Sequence, residues 1–110
     1  MNWNNLTSEN QLDTIRERSQ TTPQVIFKHS TRCATSSMAK SRLERAAAPP
    51  DVEFHLLDLI RYRNVSNKIE TDFMVHHESP QVLLIKKGEC VYDESHNGIS
   101  MDEIEEQIRK

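Results

Sequence analysis

The chain has 110 residues, 35% hydrophobic and 28% charged, which suits a single domain over 1–110 with one modest core. A net charge of −3 and an isoelectric point near 5.9 give no basic footprint, which argues against nucleic acid and against an anionic membrane surface as partners. The amino terminus lacks the charged start and apolar stretch of a signal peptide, and the longest apolar run, Val82 to Ile85, is far too short to span a bilayer. A cytoplasmic protein is expected, and there two cysteines point to a core thiol or a catalytic one rather than to a structural disulfide.

Ser8, with Gln11 three residues on, makes a capping-box pattern ahead of Leu12 and Ile15, so a helix of about three turns opens the chain and ends before Pro23. Trp3 and Leu6 are expected to pack that helix onto a sheet. Val25, Ile26 and Phe27 form a continuous β-branched and aromatic run without polar alternation, the pattern of a strand buried on both faces of a parallel sheet. After a polar turn, Met38, Leu43, Ala46 and Ala47 recur at roughly helical spacing among Lys40, Arg42, Glu44 and Arg45, so a helix starts near Cys33.

Ala48-Pro49-Pro50-Asp51 stops that helix, and a second strand follows over Val52 to Ile60. There Val52, Phe54 and Leu56 alternate with Glu53 and His55, which predicts a place near a sheet edge. Strand, helix and strand in this order make a right-handed βαβ unit with parallel strands, and reactive groups in such units gather beyond the carboxyl ends of the strands, where Cys33 falls. Val65, Ile69 and Phe73 predict a helix over 65–74. Ser79-Pro80 leads into a second interior strand from Gln81 to Lys86, and a turn at Gly88 makes a hairpin with an edge strand from Cys90 to Glu94. A second capping box, Ser100 to Glu103, opens a last helix whose Met101, Ile104 and Ile108 share one face.

The chemistry converges on Cys33. A thiol at a helix start lies beside unpaired backbone N–H groups and the positive end of the helix dipole, both of which favour the thiolate, and Arg32 adds a fixed positive charge. Thiol exchange needs the thiolate, so a reactive cysteine is expected here. The residue three positions on is Ser36, which cannot close an internal disulfide and is limited to donating a hydrogen bond to the sulfur. Cys90 follows Pro80 by a strand and a turn, which puts it roughly 20 Å from Cys33, whereas a disulfide needs Cα atoms within about 7 Å. Cys33 must then form a mixed disulfide that an outside thiol resolves.

The order helix, βαβ, helix, hairpin, helix resembles the thioredoxin fold, an α/β fold with a four-stranded mixed sheet flanked by helices. Within it, three segments resemble the monothiol bacilliredoxins of the bacillithiol system: Val-Ile-Phe-Lys-His-Ser-Thr-Arg-Cys-Ala-Thr-Ser-Ser, Glu-Ser-Pro-Gln-Val and Glu-Ser-His-Asn-Gly-Ile-Ser. The resemblance implies a thiol–disulfide oxidoreductase that removes a low-molecular-weight thiol from mixed disulfides on client proteins, with that thiol as co-substrate and no bound cofactor. It implies Cys33 as the catalytic residue with Ser36 beside it, and a cis bond at Ser79-Pro80, where the proline faces the sulfur and the backbone of Ser79 pairs with the substrate chain; Arg32, Ser36, Ser79 and Pro80 are the candidate substrate-binding residues. The family reads Thr-Cys-Pro-Ile-Ser where this chain has Arg32-Cys33-Ala34-Thr35-Ser36; Ala34 keeps a backbone N–H that proline would lack.

Other readings of the same residues are a thioredoxin-like binding module in which Cys33 is incidental, and an iron–sulfur carrier, for which the Cys-Gly-Phe-Ser motif is missing. His76 and His77, with His29 near Cys33, are poor metal ligands because adjacent histidines on a turn point apart. Lys28 and Arg32 are expected in solvent, where their charge suits an anionic thiol.

Overall fold

In the computed structural model, which describes residues 1–110, the chain runs β1 (Trp3–Asn5), α1 (Asn10–Arg18), β2 (Gln24–His29), α2 (Ala34–Arg45), β3 (Glu53–Asp58), α3 (Arg63–Phe73), β4 (Gln81–Lys86), β5 (Glu89–Ser95), a 3-10 turn (His96–Gly98) and α4 (Met101–Arg109). One mixed sheet has the order β1-β3-β2-β4-β5. β1, β3 and β2 are parallel, while β4 is antiparallel to β2 and β5 to β4. This is the expected element order with one correction: the sheet has five strands, not four.

Every residue of β2 is buried. Its alternate side chains feed two cores, because successive residues of a strand face opposite sides. Ile26 joins Leu12 and Ile15 of α1, Val65, Ile69 and Phe73 of α3, and Leu83 and Ile85 of β4 on one face. Val25 and Phe27 join Ala39 and Leu43 of α2, Met101 and Ile104 of α4, and Val82 and Leu84 on the other. The sheet is thus sandwiched between two pairs of helices.

β3 lies near the sheet edge as its alternation predicted, second in the order and flanked by β2 and β1 with Trp3 opposite Phe54, and its polar residues have a further role. Glu53 and His55 belong to a polar network at the amino end of the sheet: His55 Nε2 lies 2.7 Å from Gln24 Oε1, Gln24 Nε2 donates to Glu53 Oε1 at 2.6 Å, and Arg18 grips both Glu53 oxygens. Trp3 differs from expectation too, since it packs on the α2 side rather than against α1. Its ring stacks on Phe27 at 5.8 Å, meets Phe54 edge-on at 6.2 Å, and donates from Nε1 to Glu44 at 2.7 Å. Leu6 does pack with α1, in the first core.

Local signals in the termini and turns are realised in part: α1 begins after Glu9 with no side-chain cap, so only the glutamine half of the expected Ser8–Gln11 box forms. Gln11 Oε1 accepts from the Ser8 N–H at 2.9 Å and the Thr7 N–H at 2.7 Å, and Ser100 Oγ caps α4 by accepting from the Glu103 N–H at 3.2 Å. The β4–β5 hairpin turns on Lys87 and Gly88, both at positive φ, 54° and 80°, and the Ser19 oxygens accept from their N–H groups to tie the turn to the end of α1. α3 ends on Met74 at φ 56°, a left-handed cap that a glycine occupies without strain, and the methionine side chain is 90% exposed.

Two outcomes follow. Met74→Gly should raise stability by about 1 kcal/mol, read from the urea midpoint, because it relieves the left-handed cap and loses no packing. His55 gives a pH dependence: burial pushes its pKa from 6.5 down to about 4, with Glu53 opposing and Arg18 reinforcing. A histidine depressed in the fold takes its proton first in the unfolded chain, so stability falls as pH drops from 6.5 towards 4. Between pH 7 and pH 5 the wild type should lose about 2 kcal/mol through this group, and His55→Gln, which can still donate to Gln24, should remove that share.

Candidate active site

β2 leaves the sheet at His29, and a turn through Ser30, Thr31 and Arg32 brings the chain to Cys33, whose backbone is extended at φ −116° and ψ 119° and caps α2. The Cys33 N–H donates to Ser30 O at 3.2 Å, and the Cys33 carbonyl accepts the first helical bond from Ser37 N at 3.1 Å. The N–H groups of Ala34, Thr35 and Ser36 have no backbone acceptor. Three free donors and the positive end of α2 therefore gather at the residue that carries the sulfur. Cys33 is a free, half-buried thiol, and Arg32 beside it is exposed and in no ion pair.

Ser36 is fully buried on the helix face beneath this turn. Its Oγ accepts from the Ser30 N–H at 3.0 Å and lies 2.6 Å from His29 Nδ1. The His29 ring stacks on Phe27 at 5.8 Å, and burial lowers its pKa, helped by Lys40 and opposed by Asp58 and Glu44. The Ser36 hydroxyl is thus engaged by His29 and by the Ser30 N–H, and no hydrogen bond joins it to the sulfur. Ser36 braces the turn that positions Cys33.

The Ser79-Pro80 bond is cis, as the resemblance implied. β4 pairs with β2 so that Gln81 lies opposite Lys28; one step further along the same register puts Pro80 beside His29, at the end of β2 that leads to Cys33. Pro80 is buried, and its carbonyl accepts from His96 N at 3.0 Å. The N–H and C=O of Ser79 have no partner in the chain, and its buried Oγ has none either. On the other side of β2 from β4, a cleft of about 420 Å³ opens at the carboxyl ends of β1, β2 and β3, with His29, Thr31, Lys40, Asp58 and Arg61 in its wall.

Cys90 is elsewhere. It pairs with Ile85 at the far end of β4, five residues from Pro80 and so roughly 17 Å along the strand. Its Sγ donates to Tyr92 O at 3.3 Å, and burial pushes its thiol up to about 11.

One residue departs from its expected place. Lys28, read as solvated, is fully buried, with Nζ 2.6 Å from His77 Nδ1. The strand period carried the signal: Lys28 shares a face with Ile26 in a strand covered on both sides, so it had to point inward. His77 turns towards Lys28, while His76 turns outward to Glu70 at 3.7 Å, so the two histidines do point apart.

No helix is long and apolar enough to cross a membrane. Among solved structures, the fold is similar to a candidate oxidoreductase with a thioredoxin fold, at 26% identity and a TM-score of 0.80 over 94% of this chain and 91% of that one. It is also similar to thioredoxin from Trypanosoma brucei brucei, at 15% identity and a TM-score of 0.77 over 98% and 88% of the two chains. Fasciola hepatica thioredoxin matches at 19% identity and a TM-score of 0.75 over 96% and 95%. The fold is the thioredoxin fold. Residues 4–104 match the family model described as monothiol bacilliredoxin BrxC, and the chain belongs to that family of thiol-redox proteins.

Proposed function

We propose that the protein is a monothiol thiol–disulfide oxidoreductase that takes a low-molecular-weight thiol from protein mixed disulfides onto Cys33. The observation that carries this reading is the placement of the two thiols: Cys33 caps α2 beside three free N–H donors, and Cys90 lies at the opposite end of β4. In the first step the Cys33 thiolate attacks the small-thiol sulfur of the client's mixed disulfide. The client S–S bond breaks, a new one forms to Cys33, and the client thiolate leaves and takes a proton from solvent. In the second step an outside thiolate attacks the adduct, forms a disulfide with the small thiol and returns Cys33 as thiolate. No internal sulfur takes part, so electrons and atoms balance between the client, Cys33 and the outside thiol.

Two features of the site support this cycle. The unpaired N–H and C=O of Ser79 offer an extended client segment one residue of strand pairing next to the sulfur. Arg32, exposed and in no ion pair beside Cys33, gives an anionic small thiol a cationic neighbour. An incidental Cys33 in a binding module would carry out neither step.

Alkylation separates these readings. At pH 7.5 fewer than about one in a thousand Cys90 thiols is ionised, so iodoacetamide followed by peptide mapping should label Cys33 at least tenfold faster. Equal rates would favour the binding module. In a transfer assay with a peptide disulfide-linked to glutathione, Cys33→Ser should abolish transfer and Cys90→Ser should leave it unchanged. Ser36→Cys should release the adduct at least tenfold faster without added thiol, since it supplies a resolving sulfur within the first turn of α2.

A further inference from the structure

Residues 75–79, which lead into the cis proline, make no backbone–backbone hydrogen bond. Side chains hold them instead. Glu70 of α3 accepts from the His77 N–H at 2.7 Å. Gln81 Nε2 donates to His76 O at 3.1 Å, and Gln81 Oε1 accepts from the Glu78 N–H at 3.3 Å. Lys28 Nζ donates to His77 Nδ1 at 2.6 Å. Lys28 and Gln81 are cross-strand partners on β2 and β4, so the interior pair of the sheet grips this segment from beneath.

We propose that Lys28 is a positioning residue for the transfer reaction: through its bond to His77 the buried ammonium fixes residues 75–79, and so sets Ser79 and Pro80 at the end of β2 that leads to Cys33. The inference rests on the transfer reading only for its consequence in catalysis; the positioning itself is a property of the fold. A buried ammonium is costly, and methionine or leucine would fill this place in the first core at less expense. Burial pushes the Lys28 pKa down to about 8, with the charge of Glu70 opposing, so the ammonium predominates at neutral pH, and its hydrogen bond goes to the His77 imidazole.

The bond has a protonation requirement that a purely structural contact lacks. His77 Nδ1 accepts from Lys28 only while it is unprotonated; once protonated it is a donor, and two cations face each other at hydrogen-bond distance. The charged groups around the ring are Lys28 from β2, Glu70 and Arg63 from α3, and Glu78 from its own segment. Burial and then Lys28 lower the His77 pKa, so the bond stands at neutral pH and opens in acid.

The test follows the amide resonances of Glu78, Ser79 and Gln81 between pH 8 and pH 5 alongside the His77 ring, with transfer from a peptide disulfide-linked to glutathione measured over the same range. In wild type the three amides should shift with the His77 midpoint. The kcat/KM should fall by roughly tenfold more than the Cys33 alkylation rate falls over the same range. His77→Asn, whose Oδ1 accepts from Lys28 at any pH, should abolish that extra fall. Lys28→Met should uncouple the amides from the ring and raise KM for the peptide by roughly tenfold while leaving the Cys33 alkylation rate within about twofold. Amides that ignore the His77 titration, a His77→Asn profile like that of wild type, or a Lys28→Met variant with wild-type KM would each overturn the proposal. Absence of transfer at every pH would defeat the catalytic reading, and the resonance titration would still decide the positioning.

Discussion

The structure depends on the burial of β2 on both faces along its whole length. Six residues packed between two cores and paired on both edges can adopt only one register, because a slip of one residue would exchange the two faces. That constraint fixes where the strand ends, at His29, and the parallel partner β3 then requires a helical crossover, which is α2. Cys33 falls at the junction of strand and helix, where the backbone has left one hydrogen-bonding pattern and not yet entered the next. The free donors around the sulfur follow from that geometry. The same constraint turns Lys28 inward, and the molecule accommodates the charge by tying it to the segment ahead of Pro80.

The two ends of the sheet do different work. At the amino end, Arg18, Glu53, Gln24 and His55 form a closed polar network that satisfies its members and holds Glu53 down to about 2, chiefly through the Arg18 bond. At the carboxyl end the donors of Ala34, Thr35 and Ser36 and the backbone of Ser79 are left open. Unsatisfied groups cost stability wherever water is excluded, and here they cluster around Cys33, where the proposed exchange would use them. Cys90, desolvated on β5, illustrates the opposite treatment of the same side chain.

Most of this was legible in the sequence because the informative elements are long relative to their period. Val25 to Phe27, the Val65, Ile69 and Phe73 stripe, the Gly88 turn and the Ser100 cap each state their structure locally, whereas α2 buries Ser36, Ala39 and Leu43 and leaves the expected Met38 exposed. β1 does not: Trp3–Asn5 has three residues, two of them polar, and becomes a strand through its ladder with β3 and the stacking of Trp3. The alternation of Glu53 and His55 placed β3 near an edge but could not show the polar network that the two residues join. The place of Cys33 could be read from a strand ending and a helix beginning, whereas the partner of Ser36 could not. Spacing put the serine on the sulfur's side of the helix, but its hydroxyl is engaged by His29, four residues before the cysteine.

The central claim is that one sulfur performs the chemistry and depends on an outside thiol for release. Intact-mass analysis of the fully reduced protein after brief exposure to a small symmetrical disulfide such as cystine, followed by removal of the excess, tests it most directly. A single adduct mapped to Cys33 should form and persist until free thiol is added. A product lighter by two hydrogens and carrying no adduct would show Cys33 and Cys90 joined, and would contradict both the one-thiol mechanism and the separation of the two cysteines along β4.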